Sequence, residues 1–98
     1  MNEWSIYILR CDDGSLYTGI TTDVQRRLGE HISGKRKAAK YTRMFFAIDL
    51  AYHVRIGNRS LATRVERRIK KLPKGKKEQI VSDCFSREEL IEFLKLDG

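Results

Sequence analysis

The sequence predicts a small mixed α/β domain of the α+β kind, in which a three-stranded, mainly antiparallel sheet is flanked by three to four helices. Three observations point there. Two short apolar stretches flank Asp12-Asp13-Gly14-Ser15 and read as a hairpin. Two later segments, beginning at Val24 and Leu61, repeat apolar residues at helical spacing. Near the end, Ser86-Arg87-Glu88-Glu89 has the form of a capping box opening a last helix.

In the first strand Trp4, Ile6 and Ile8 supply one face and Tyr7 and Leu9 the other, as expected of a strand covered on both sides. Asp13-Gly14 makes the turn, and residues 16–20 form the second strand. Thr22 or Asp23 can cap a helix in which Val24, Leu28 and Ile32 recur every four residues, until Ser33-Gly34 stops it. Arg27 and His31 share the neighbouring stripe. Residues 34–43 are rich in Gly, Lys, Arg and small residues without an apolar period, and read as a basic loop. A third strand is expected at 48–56. Gly57-Asn58-Arg59-Ser60 then turns the chain into a second long helix, with Leu61, Val65, Ile69 and Leu72 as its buried stripe and Pro73 at its end. Glu66 lies one position past that stripe. A short helix falls around 76–82. The last helix has Phe85 and Leu90 as a hydrophobic staple, and Leu90, Ile91 and Leu94 to dock it on the core.

Ninety-eight residues with 41% hydrophobic content suit one domain spanning 1–98. The longest apolar run, 44–48, is far too short to cross a bilayer, and the N-terminus lacks the regions of a signal peptide, so a cytoplasmic location is expected. Cys11 and Cys84 sit in no Cys-x-x-Cys or Cys/His cluster and are expected to be free thiols packed as small hydrophobes, with neither disulfide nor zinc. The charge is unevenly spread. Between Arg26 and Lys77 there are seventeen Lys or Arg against only Glu30, Asp49 and Glu66, within a chain of net charge +7. Such a block attracts a polyanion and makes its binding depend on salt through counterion release. Membrane binding fits poorly, since the basic helix lacks the wide Trp/Phe/Leu face of an interfacial anchor.

Ser5-Ile6-Tyr7, then Tyr17-Thr18-Gly19, then Arg27 and His31, then a helical Glu66 is a pattern that resembles the GIY-YIG nuclease superfamily over nearly the whole chain. It is most similar to the small stand-alone bacterial members, in the stretch Leu16-Tyr17-Thr18-Gly19-Ile20-Thr21-Thr22-Asp23 and in Asn58-Arg59-Ser60-Leu61-Ala62. The chain departs from the pattern in places. Ser5 stands where the name-giving Gly is found and Thr18 stands for Ile. Several relatives carry an Asn late in the domain, but none follows Glu66 here, and Ile20 stands where some carry Lys. Lys40 of the basic loop is a candidate substitute.

The resemblance implies DNA cleavage at Tyr7, Tyr17, Arg27, His31 and Glu66, with Gly19 as part of the motif's frame. Phosphodiester hydrolysis needs an aligned water, an acceptor for its proton and positive charge on the transition state. Tyr7 and Tyr17 are jointly expected to activate water and orient the phosphate, which requires neighbouring cations to favour a phenolate. Arg27 suits a nonbridging oxygen with its fork of donors, and His31 can orient a tyrosine hydroxyl or contact phosphate. Glu66 would hold one hard ion, Mg²⁺ or Mn²⁺, that keeps most of its waters. Lys35, Arg36, Lys37, Lys40 and Arg43 of the loop, with Arg64 and Arg67 of the second long helix, are expected to track the DNA backbone. With no module that reads base edges, specificity falls to DNA shape or to a larger partner protein. Each residue has a plainer reading: cross-strand packing for the tyrosines, a solvated face for Arg27, a helix-dipole contact for His31, and an i,i+4 pair with Lys70 for Glu66. A noncatalytic nucleic-acid-binding module and a basic adaptor for an acidic protein are the rival functions.

Overall fold

The computed structural model describes residues 3–33 and 48–96. In chain order the elements are β1 (Trp4–Cys11), β2 (Leu16–Thr21), α1 (Val24–Ser33), β3 (Ile48–Gly57), α2 (Arg59–Lys70), α3 (Lys74–Asp83) and α4 (Arg87–Phe93). The hairpin turns where Gly14 adopts φ 85°, a conformation that costs glycine little, and Asp13 Oδ1 accepts from the Ser15 amide at 2.9 Å. The sheet runs β2-β1-β3 with both pairings antiparallel. β1 is therefore central, and it is buried on both faces.

Ile6 and Ile8 point into the larger cluster, where Tyr52 and Ile56 of β3 meet Ala62, Val65 and Ile69 of α2, Ile80 of α3, and Leu90 and Ile91 of α4. Tyr7 and Leu9 point the other way, into a cluster with Ile48 that Tyr17, Val24, Leu28 and Leu50 flank. The result is three layers, with α1 on one side of the sheet and α2, α3 and α4 on the other. Each fully buried aliphatic side chain contributes on the order of 1.5–3 kcal/mol, so β1 ties both clusters into one unit.

The helix ends follow the expected chemistry. Asp23 Oδ1 accepts from the Arg26 amide at 3.1 Å, and Asn58 Oδ1 accepts from the Leu61 amide at 2.9 Å. Ser86 and Glu89 close the reciprocal capping box, while Leu90 is buried in the larger cluster and Phe85 packs against it.

Four details differ from expectation. Ile32 is 61% exposed, whereas His31 is 1% exposed. At 100° per residue, His31 lies within about 20° of Val24 around the helix and Ile32 about 80° away, so the histidine occupies the middle of the buried stripe. On α2 the fully buried positions are Ala62, Val65 and Ile69, with Leu61 and Leu72 half-buried beside them. α3 starts directly after Pro73, earlier than the periodicity suggested, because proline's fixed φ of −63° suits a helix entrance. Cys11 is buried, but Cys84 is exposed at the left-handed end of α3 (φ 50°), and both thiols are free. Among the described residues no helix is long and apolar enough to cross a membrane.

Candidate active site

The register of the sheet decides what surrounds Tyr7. Its cross-strand partners are Gly19 on β2 and His53 on β3, and Leu9 faces Tyr17, so both phenols lie on the α1 side of the sheet. Their ring centroids are 6.5 Å apart. A Cβ on Gly19 would stand 2.5 Å from the Tyr7 hydroxyl oxygen and 2.6 Å from the ring carbon bearing it. The motif's glycine is needed here for space, because the Tyr7 ring lies directly over its backbone.

α1 delivers His31 against both rings, at centroid distances of 5.9 Å from Tyr7 and 5.5 Å from Tyr17. Its Nε2 is 3.1 Å from the Tyr7 hydroxyl. Burial drives the His31 pKa down to about 4, the nearby charge of Arg27 pushes the same way, and Glu30 opposes them. The imidazole is thus neutral at physiological pH. Tyr7 moves upward, first because it is buried and then because Tyr17 and Glu66 disfavour a phenolate; a hydrogen bond from Arg27 and its charge pull the other way without winning. This reverses the expectation that the cations would bring Tyr7 down. Desolvation of a residue on a doubly covered strand is the larger effect.

Arg27 lies one turn before His31. Burial opposes its charge, but bonds to Glu30 and Tyr7 outweigh that and raise its pKa further. Arg27 Nη1 donates to Glu30 Oε1 at 2.9 Å, and the other oxygen of Glu30 accepts from Arg26 at 2.9 Å. The Glu30 side chain is 13% exposed. Sequence reasoning left Glu30 out of the site, although its position three residues after Arg27 was a usable signal.

Glu66 comes from the other helical layer. α2 packs along β2, an edge strand, and this lets its polar face reach the rim near Tyr17. Lys70 Nζ stands 5.9 Å from the centroid of the Tyr17 ring and 3.2 Å from Glu66 Oε2. The Glu66 charge is also among those that act on Tyr7. Tyr7, Tyr17, Arg27 and His31 therefore gather on the α1 face of the β1–β2 hairpin, and Glu66, from the opposite layer, is tied to them at the β2 edge through Lys70 and through its charge on Tyr7. Arg64 and Arg67 are exposed on α2. Lys35, Arg36, Lys37, Lys40 and Arg43 lie outside the described residues.

Among the described residues no group of three or more His, Cys, Asp or Glu could hold a metal. A lone, partly exposed carboxylate is no home for zinc, but it suits a hard divalent ion that keeps its water shell. Glu66 fits that requirement.

This fold and the ordered motif define a GIY-YIG domain, a nuclease fold: the profile of the GIY-YIG catalytic domain matches residues 3–79, and the chain belongs to that family. More particularly, it is similar to the small UPF0213 proteins. It is 45% identical over 95 residues to the UPF0213 protein YhbQ of Escherichia coli O127:H6 (strain E2348/69), covering 97% of this chain and 93% of that one. The solution NMR structure of the UPF0213 protein BH0048 from Bacillus halodurans shares 42% identity with a TM-score of 0.54, over 99% of this chain and 100% of that one. The solution NMR structure of EF2693 from E. faecalis shares 38% identity with a TM-score of 0.58, over 85% and 86% of the two chains.

Proposed function

We propose that this chain is an Mg²⁺-dependent DNA endonuclease of low sequence selectivity, which hydrolyses phosphodiester bonds at the site formed by Tyr7, Tyr17, Arg27, His31 and Glu66. The observation that carries the reading is the 3.1 Å approach of the Tyr7 hydroxyl to His31 Nε2, inside a group that also holds a guanidinium and a carboxylate. Arg27 can only donate hydrogen bonds, so its bond to Tyr7 uses the phenol oxygen as acceptor and leaves the hydroxyl proton for His31. The neutral imidazole presents an unprotonated Nε2 to that proton, although the burial that keeps it neutral opposes its taking the proton before phosphate is bound.

Tyr7 then works as a relay. As water attacks the phosphorus, the Tyr7 oxygen accepts the water's proton while its own proton passes to His31 Nε2, so no free phenolate has to accumulate. An anionic phosphate beside the imidazole raises its basicity at that moment. Arg27 donates to a nonbridging oxygen and stabilises the charge that develops there. Tyr17, beside His31, orients the phosphate. A divalent ion held at Glu66 supplies neutralisation of the leaving oxygen when bound. Arg64 and Arg67, with the cations of the 34–43 segment, hold the backbone without reading bases, which favours branched, nicked or single-stranded DNA over a defined sequence.

The test is cleavage of supercoiled, nicked, branched and single-stranded DNA with and without Mg²⁺, using wild type and Glu66→Ala in parallel. The expected outcome is Mg²⁺-dependent nicking by wild type and none by the variant, with DNA binding and circular dichroism retained. Full cleavage by Glu66→Ala would remove the ion from this position. Salt-sensitive binding by wild type with no nicking would leave a nucleic-acid-binding module, and the absence of any such binding would leave a protein adaptor.

A further inference from the structure

We infer that Lys70 is the resident cation of Glu66 when no divalent ion is bound, and that it gives up the carboxylate and moves to the substrate phosphate when an ion arrives. This rests on the assignment of Glu66 as the ion's ligand. An ordinary surface pair at i,i+4 would need no such role, but Lys70 has two holds. Its Nζ stands 3.2 Å from Glu66 Oε2 and 5.9 Å from the centroid of the Tyr17 ring. Glu66 is the shielded partner, with its side chain 20% exposed against 51% for Lys70. The lysine is therefore the one free to move.

A small carboxylate cannot serve an ammonium and a divalent cation together without placing like charges side by side. Lys70 is suited to leave, since its charge sits at the end of a flexible four-carbon stem. The Tyr17 ring already attracts the ammonium from 5.9 Å, and the same ring stands 5.5 Å from His31, so a swing of the lysine stem carries its charge towards the proposed phosphate position. Release from Glu66 thus supplies a positive charge where the substrate needs one. The consequence is a reciprocal coupling: occupation of Glu66 strengthens DNA binding, and DNA that draws Lys70 away strengthens ion binding.

The experiment measures Mn²⁺ binding to the full chain by electron paramagnetic resonance for wild type, Lys70→Met, Lys70→Arg and Glu66→Gln, with circular dichroism as the check on folding. DNA affinity is measured alongside, with and without Ca²⁺. Lys70→Met is expected to bind Mn²⁺ about three- to tenfold more tightly than wild type in the absence of DNA, Lys70→Arg to stay near wild type, and the Ca²⁺-dependent gain in DNA affinity to shrink in Lys70→Met. Equal or weaker Mn²⁺ binding by Lys70→Met, with binding lost in Glu66→Gln, would overturn the role of Lys70 while leaving the ion at Glu66. Unchanged Mn²⁺ binding by Glu66→Gln would remove both assignments.

Discussion

Burial does opposite things to the two partners of the Tyr7–His31 contact: it holds the phenol's proton in place and keeps the imidazole without one. If the pair relays a proton, Tyr7→Phe keeps the ring's packing and removes only the hydroxyl. The single-turnover cleavage rate is expected to fall by about 10²–10⁴-fold with the melting temperature little changed; a loss below tenfold would take Tyr7 out of the proton path. His31 also has a thermodynamic signature. Its folded pKa of about 4 lies below the ordinary 6.5, so the unfolded chain takes up a proton in that window and the folded chain does not. The contribution is fully present above pH 6.5 and is lost as the pH falls towards 4, amounting to roughly 3 kcal/mol for so buried a ring. Urea unfolding between pH 7 and pH 4 should show this slope, and His31→Gln should flatten it. These residue types could be read from the sequence in order. The upward shift of Tyr7 could not, because it depends on the layers that close over β1.

At the scale of elements, the turn and the caps were legible because their chemistry is local. Asp13-Gly14, Asp23 and the Ser86/Glu89 pair each do what their residue types prescribe within a few positions. Rotation of a helix about its axis is less local, and this is why α1 presents His31 where a four-residue repeat favoured Ile32. Gly19 belongs to this scale as well. Its identity in the motif is visible in the sequence, but the reason for it is the Tyr7 ring lying across the strand pair. Gly19→Ala should push that ring off its place, cost about 1–3 kcal/mol of stability, and reduce cleavage as far as Tyr7→Phe does. Denaturant midpoints and cleavage rates measured together test this. Wild-type activity in Gly19→Ala would mean that the position of the phenol is not critical.

For the molecule as a whole, the unequal charge distribution was the most legible property and its geometry the least. The sequence places seventeen cations between Arg26 and Lys77, but only folding reveals that α2 brings Glu66 and Lys70 around the β2 edge to Tyr17. If α2 tracks a DNA backbone, the plot of log affinity against log salt is expected to be steep and negative, and Arg64→Ala and Arg67→Ala should each reduce its slope by about 1 without changing any preference for sequence. Fluorescence anisotropy across a salt series measures this, and a flat plot would exclude a nucleic-acid partner.

The doubly covered central strand has one more consequence, for anyone seeking a hardier variant. Ile6 and Ile8 share a backbone with Tyr7, and close-packed interiors pass small displacements along rather than absorbing them. Repacking the helical side for heat resistance therefore shifts the phenol on the reverse of the same ribbon. Improvements sought on the outer surfaces of α3 and α4 leave that ribbon alone, and there durability can be gained without detuning the hydroxyl.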